Sequence, residues 1–220
     1  MVAEAECLAP LGNRVRVVCS GARADLARTR TESLVEAGVS ALVSFGLAGA
    51  LSLGLTPGDL ILPKRVIAAG QGDRVVDPLW HARFAARLRD SGLVPRIDGA
   101  LAGSNQAVTN ATDKAALARA SGAVAVDMES HIVAEVAARH GLPFLVVRAI
   151  ADPAERAIPG PALAGLGPDG RTRPLAVAMR LLREPRSLPA LLRLAADSRA
   201  ALETLRDTVK RLGTMAFQAP

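Results

Sequence analysis

Runs rich in valine, leucine, isoleucine and alanine recur at Arg14–Cys19, Ala41–Phe45, Leu60–Ala69, Gly99–Ala102, Ala123–Val126 and Phe144–Ile150. Each is short and β-rich, and predicts a strand. Between them apolar residues fall three and four apart, the spacing of a helix with one face inward. One such helix runs through Leu26, Leu34 and Val35 to Gly38, and another spans Trp80–Leu93 with Phe84 and Leu88 inward. A third begins at Thr112-Asp113-Lys114, and a fourth carries Ile132, Val133, Val136 and Ala137 until Gly141-Leu142-Pro143 stops it. Strands alternating with helices predict an α/β domain.

The segment Ala123–Asp152 reads as one strand–helix–strand unit. Two apolar strands joined this way predict a parallel pair with a right-handed crossover. Polar residues at the carboxyl ends of such strands face the crevice where open α/β sheets bind ligands. Asp127-Met128-Glu129-Ser130 follows the first strand and Asp152 follows the second. Taken singly, Asp127 reads as a helix cap, Glu129 as a complement to the helix dipole, and Asp152-Pro153 as the start of a turn. Arg148 changes this picture. A guanidinium inside a buried strand requires an anionic partner, and Asp152 and the acids at 127–129 are the nearest candidates.

These motifs, DMES before a helix and VVRAIAD after it, resemble the nucleoside phosphorylase and methylthioadenosine/S-adenosylhomocysteine nucleosidase superfamily. There the first motif usually reads MEG or MEA and the second RAISD. SFGLAGAL (Ser44–Leu51), GSNQAVTNATDKAAL (Gly103–Leu117) and RPLAVAMRLLREP (Arg173–Pro185) are similar to one branch, the hopanoid-biosynthesis-associated phosphorylase, which removes adenine from adenosylhopane. The resemblance implies a nucleoside phosphorylase-like, three-layer α/β/α fold with a central mixed sheet. Residues 1–156 would form the core and 157–220 a proline-rich loop and amphipathic helices packed on the same domain. It also implies a cytoplasmic homodimer or higher homo-oligomer. No cofactor is implied; inorganic phosphate and water stand as alternative nucleophiles. A methylthioadenosine/S-adenosylhomocysteine nucleosidase is the alternative enzyme. A catalytically idle nucleoside-binding or membrane-docking protein is the alternative outside catalysis.

The same resemblance implies roles residue by residue. Asp152 is the acid at the purine N7, Met128 and Glu129 hold the ribose, and Gln106 and Ala107 meet the base. Ser44, Ala48 and Gly49 line the nucleophile pocket, with Arg148 behind them. Gly21, at a strand-to-helix turn, lets backbone N–H groups approach an anion. Arg23 beside it reads either as a phosphate contact or as an exposed helix arginine. Three departures stand out. The arginine and serine that hold phosphate in hexameric purine phosphorylases are replaced by Ser44 and Leu47. Gln106 stands where an aromatic usually stacks on the purine. The chain also opens at Val2–Glu6, where the family has a turn that follows a first apolar strand. Either the start codon is misassigned or that strand is lost, and its loss leaves one sheet edge unpaired. Glu4 matches the family's water-activating glutamate and otherwise reads as a solvated terminal acid.

Composition narrows the remaining choices. With 220 residues and 50% hydrophobic content the chain suits one full core. Cys7 and Cys19 have no metal or redox spacing, and His81, His131 and His140 are scattered, so no metal is expected. Aromatic residues make up 2%, too few for a nucleic-acid stacking platform. The net charge of +6 lies wholly in the tail: residues 1–170 hold 17 basic and 17 acidic residues, and residues 171–211 hold 10 and 4. Seven of the 14 prolines fall between Pro153 and Pro189, which predicts a restricted loop acting as a lid or binding segment. From Leu188, Leu191, Leu192, Ala195, Leu202, Leu205, Val209 and Leu212 form an apolar stripe beside arginines. It reads as a helix packed on the core or a second subunit, or as a shallow attachment to an anionic membrane near a lipid-tailed nucleoside.

Overall fold

A computed structural model describes the chain except residue 22, residues 69–71, residues 166–172 and residue 220. Its strands are β1 (Leu42–Ala50), β2 (Leu60–Ile61), β3 (Arg65–Ala68), β4 (Gly72–Val75), β5 (Ala100–Gly103), β6 (Ala125–Asp127) and β7 (Phe144–Asp152). They form one mixed sheet in the order β2-β7-β1-β6-β5-β3-β4. The helices are α1 (Val2–Cys7), α2 (Ala24–Glu36), α3 (Pro78–Asp90), α4 (Ala111–Ser121), α5 (Ser130–His140), α6 (Gly160–Ala164), α7 (Pro174–Arg183) and α8 (Leu188–Leu212). The result is a three-layer α/β/α architecture.

Strand β7 is the spine of the sheet. It is buried along its whole length, which explains its unbroken apolar run. Leu145, Val147 and Ala149 pack with Trp80, Phe84, Leu205 and Val209 under α3 and α8. Phe144, Val146 and Ile150 pack with Ala134, Val136 and Ala137 of α5 on the other face. Side chains on a strand alternate sides, so Arg148 and Asp152 project to the same face as Val146 and Ile150. Helix α5 ends where expected, with Gly141 in the left-handed conformation at φ 64°.

Several expectations are corrected. Strands β6 and β7 are not partners. β1 lies between them, parallel to β7 (Leu42 beside Phe144) and antiparallel to β6 at Gly49–Val126 and Ala50–Ala125 only. With three residues, β6 takes its parallel partner from β5 instead, and α5 carries the chain over β1. Arg14–Cys19 is not a strand. A 3-10 turn over Ala9–Arg14 leads into an extended segment that pairs with nothing among the described residues, and Val17 and Val18 are 42% and 41% exposed. The flank of β1 from Leu42 to Ala48 likewise has β7 on one side and no strand on the other. A cleft of about 730 Å³ separates the two segments. Val2–Cys7 itself is helical rather than a turn.

Leu60–Ala69 divides into β2 and β3 across Pro63, which has no N–H to donate to a ladder; Ala69 lies outside the described residues. The proline-rich stretch holds α6 and α7, with residues 166–172 outside the description. On α8, the end of the stripe (Leu205, Val209, Leu212) is buried in the core beneath the sheet, whereas Leu192 is 61% exposed.

Candidate active site

Arg148 is nearly inaccessible, and a buried guanidinium is tolerable only when its charge and its N–H groups are met. Its Nη2 lies 2.5 Å from Asp127 Oδ2 and 3.6 Å from a Glu129 oxygen, and donates to Ser44 Oγ at 2.6 Å and Ser130 Oγ at 3.1 Å. Ser130 Oγ in turn donates to Asp127 at 2.5 Å. Asp127 also accepts the Ser130 backbone N–H at 3.2 Å, so the cap and ion-pair readings are both realised. A side chain at Gly46 would collide with the Arg148 guanidinium and the Glu4 carboxylate, which explains glycine on β1 directly beside Arg148.

Glu4 reaches this cluster from α1. Its Oε1 accepts the Leu47 N–H at 2.8 Å and its Oε2 pairs with the Met1 amino group. Glu129 is half-buried and accepts from Ser20 Oγ at 3.3 Å. Met128 beside it is also half-buried. Glu4, Glu129, Ser20, Ser44 and Arg148 all border the cleft along β1. Asp152 does not border it.

Asp152 occupies the carboxyl end of β7, level with Gly49 across the β1 irregularity at Ala48 and Gly49. A Cβ at Gly49 would lie 3.0 Å from Asp152 Oδ2, so the small residue there lets the carboxylate sit against β1. Its partner is Lys114 rather than Arg148. The wholly buried Lys114 Nζ donates to Asp152 Oδ2, to the Pro153 carbonyl at 2.8 Å and to the Arg156 carbonyl at 3.0 Å. Burial raises the Asp152 pKa above the ordinary carboxylate value, against the opposing pull of Lys114.

The remaining candidates are distributed as follows. Gln106 and Ala107 lie exposed on the loop after β5, folded back by the Ser104 Oγ donation to the Gln106 carbonyl at 2.6 Å. This loop meets the segment after Asp152 through the Ile158 N–H and the Thr109 carbonyl at 2.7 Å. His131, buried beneath Gly103, donates its Nε2–H to Asn105 Oδ1 (3.0 Å), and burial lowers its pKa. Ser44 and Ala48 are buried in the sheet, and Ser44, at the border of the cleft, accepts from Arg148. Gly21 is buried with φ 65°, next to residue 22, which lies outside the described residues. Arg23 is turned outward and forked on Asp25, away from this cluster. Among the described residues no three His, Cys, Asp or Glu side chains are grouped to hold a metal ion.

Lys114 was missed at the sequence level, as was the role of Ser44 and Ser130 as acceptors for Arg148. A signal for Lys114 existed: on α4 it shares a helical face with Leu117, Ala118 and Ser121, where a lysine needs the same compensation that Arg148 did.

A mixed sheet between helix layers carries Asp127 and Asp152 at the carboxyl ends of β6 and β7, with Glu4 reaching β1 from α1. The sequence matches the phosphorylase superfamily over residues 8–166, and the chain belongs to that superfamily. Its family marks it as an enzyme acting on glycosidic bonds. No curated protein matches it by sequence. Solved structures with the same fold include the futalosine hydrolase of Helicobacter pylori, at 18% identity and TM-score 0.59, over 86% of this chain and 76% of that one. A mutant H. pylori methylthioadenosine/S-adenosylhomocysteine nucleosidase with 5′-methylthioadenosine in its active site matches over the same shares at 18% identity and TM-score 0.60. The S-adenosylhomocysteine nucleosidase of Streptococcus pyogenes matches at 20% identity and TM-score 0.60, over 88% of this chain and 77% of that one.

Proposed function

We propose that this enzyme releases adenine from adenosylhopane by hydrolysis. The observation that carries the reaction is the pair of carboxylates Glu4 and Glu129 on the cleft along β1, with Asp152 set against Gly49 of the same strand, each held by a defined partner. Cleavage of an N-glycosidic bond passes through a ribosyl cation, so the leaving base needs a proton and the sugar must be held. Asp152 gives its proton to purine N7 as the bond breaks, and its raised pKa suits that role. Glu129 accepts hydrogen bonds from the ribose hydroxyls while Met128 packs on the ring, which fixes the reacting geometry. Glu4 takes the proton from the attacking water on the opposite face. Water is favoured over phosphate because Glu4, Glu129 and Asp127 crowd the approach around a single guanidinium, and Arg23 is bound to Asp25.

The lipid-tailed substrate is supported by α7, which packs on α6 shortly after Asp152. It exposes Leu175 (75%), Met179 and Leu182 (78%) along one stripe, with Arg180 and Arg183 beside it. Such a ridge suits shallow contact with an anionic bilayer, moving the membrane-facing role from the whole stripe of α8 to α7 and the start of α8. The enzyme then works at the inner membrane face as a homo-oligomer. No helix among the described residues is long and apolar enough to cross a membrane. A second reading, a methylthioadenosine/S-adenosylhomocysteine nucleosidase, is favoured by the shared fold of two such enzymes.

The test compares adenine release from adenosylhopane in mixed micelles with release from methylthioadenosine, with and without phosphate. Preference for adenosylhopane at a phosphate-independent rate is expected. Release from methylthioadenosine alone selects the second reading, phosphate dependence makes the reaction phosphorolytic, and no release leaves a nucleoside-binding protein. Vesicle cosedimentation tests α7: binding to anionic vesicles that salt weakens should disappear when Leu175, Met179 and Leu182 become serine. Loss of a dimer in that variant, without vesicle binding by the wild type, would instead assign the ridge to a second copy.

A further inference from the structure

Lys114 is wholly buried, yet the chemistry outlined above does not use it. An ammonium group has three hydrogens, and this one has three acceptors: Asp152 Oδ2, the Pro153 carbonyl and the Arg156 carbonyl. Both carbonyls belong to the turn that begins at Asp152, so the lysine is fixed to the same backbone as the carboxylate it meets. If the proton facing Oδ2 moved to Asp152, the amine would still donate to both carbonyls and its lone pair would accept the new carboxyl O–H. The site therefore satisfies both forms of the pair, Lys–NH3⁺ with Asp–COO⁻ and Lys–NH2 with Asp–COOH. The other charged groups facing it are Arg156 and Asp197 of α8, which are paired with each other.

We infer that Lys114 is the proton source for base departure, acting through Asp152. This rests on the reading of Asp152 as the acid at N7. Starting from Lys–NH3⁺ and Asp–COO⁻, as the glycosidic bond breaks its electron pair passes into the purine, Asp152 takes a proton from Lys114, and Asp152 hands that proton to N7. The net change is a neutral lysine and a protonated leaving base, with the carboxylate restored. Lys114 is then recharged from solvent after the products leave.

The alkaline limb of the kcat–pH profile separates this role from its alternatives. Two coupled groups lose protons in steps that belong to the pair. Under the relay, activity lasts until the pair loses its last proton, which is never at lower pH than the loss from Asp152 alone. Lys114→Met leaves Asp152 as the only proton source, so the limb moves to lower pH. Lys114→Arg moves it lower still, because guanidinium holds the carboxylate ionised and gives up no proton. The expected order of limbs, from high to low pH, is wild type, K114M, K114R. On the plateau both variants should lose roughly 10-fold or more in kcat, as general-acid assistance is weakened.

A lysine that merely lowers the pKa of Asp152 gives a different order, with K114M highest, and overturns the relay. A lysine that only braces the turn leaves all three limbs together and overturns it too. Thermal melts and circular dichroism establish that each variant is folded, and Lys114→Met alone distinguishes the relay from both alternatives, since its limb falls under the relay, rises if the lysine merely lowers the Asp152 pKa, and stays put if it only braces the turn. A wild-type protein that releases no purine from any nucleoside overturns the reading of the site itself. One that releases purine with an unshifted limb in the variants overturns only the relay.

Discussion

Strand β7 carries two charged residues, Arg148 and Asp152, four positions apart on one face, and their surroundings differ in kind. Arg148 is enclosed by Asp127, Glu129, Ser44 and Ser130, drawn from two other strands and a helix, and its role is to join them. Asp152 is met by one lysine on α4, and the carboxylate is left near a glycine with room beside it. Many partners hold a charge in one state and one place. A single partner with an exchangeable proton leaves the charge able to change. The first arrangement suits support of the sugar-binding acid, and the second suits proton transfer.

The sharpest way to break this contrast is to neutralise each residue and ask what fails. Asp152→Asn should reduce kcat by about 10²–10⁴-fold with substrate binding little changed; activity within a few-fold of wild type would remove Asp152 from the chemistry. Arg148→Met should act on the fold, since it leaves Asp127 buried without its cation. A loss of roughly 3–5 kcal/mol is expected from the urea midpoint at constant slope. A stable Arg148→Met variant with intact packing would mean that the serines and Asp127 suffice without it.

Glu129 lies between the two regimes, touching Arg148 and facing the ribose. Glu129→Gln should lower kcat/KM by roughly 10- to 100-fold, from hydrogen bonds to a charged acceptor worth about 1.5–3 kcal/mol. An adenine nucleoside lacking the 2′-hydroxyl should show a smaller loss on the same substitution, and an equal loss would deny the ribose contact. The smallest effect concerns His131, whose pKa is depressed from 6.5 by burial. A group with a lowered folded pKa adds stability above its unfolded pKa, and that stability is lost as pH falls through the window below 6.5. Denaturant midpoints should therefore fall toward acid more steeply in the wild type than in His131→Gln, by about 1 kcal/mol or less. Parallel curves for the two proteins would sink the idea.

The sequence made some of these features plain and hid others, for physical reasons. β7 and α5 were readable because continuous burial and a left-handed glycine stop leave direct marks in residue type. The need of Arg148 for acids followed from desolvation alone, and Asp127 and Glu129 were found in that role. The partner of Asp152 was not readable, because Lys114 lies 38 positions away on a weakly patterned helix. Topology also escaped, since β1 enters between β6 and β7 by long-range pairing that local periodicity does not encode. Arg14–Cys19 alternated like a strand, but a strand needs a neighbour, and the extended chain there has none among the described residues.

That last feature bears on how the site moves in time. β1 delivers Gly46, Leu47 and Gly49 to the reacting groups, yet from Leu42 to Ala48 it is laddered to β7 alone. On its open flank, the Leu47 N–H is held by the Glu4 carboxylate and not by a neighbouring strand. Amide hydrogens on that flank should exchange with deuterium well before those of Val146 or Ile150, despite the apolar setting they share. When Glu4 is protonated or drawn toward a water, the Leu47 amide is released with it. Exchange at this one position would thus record, in seconds or minutes, whether the carboxylate proposed to activate the nucleophile is engaged.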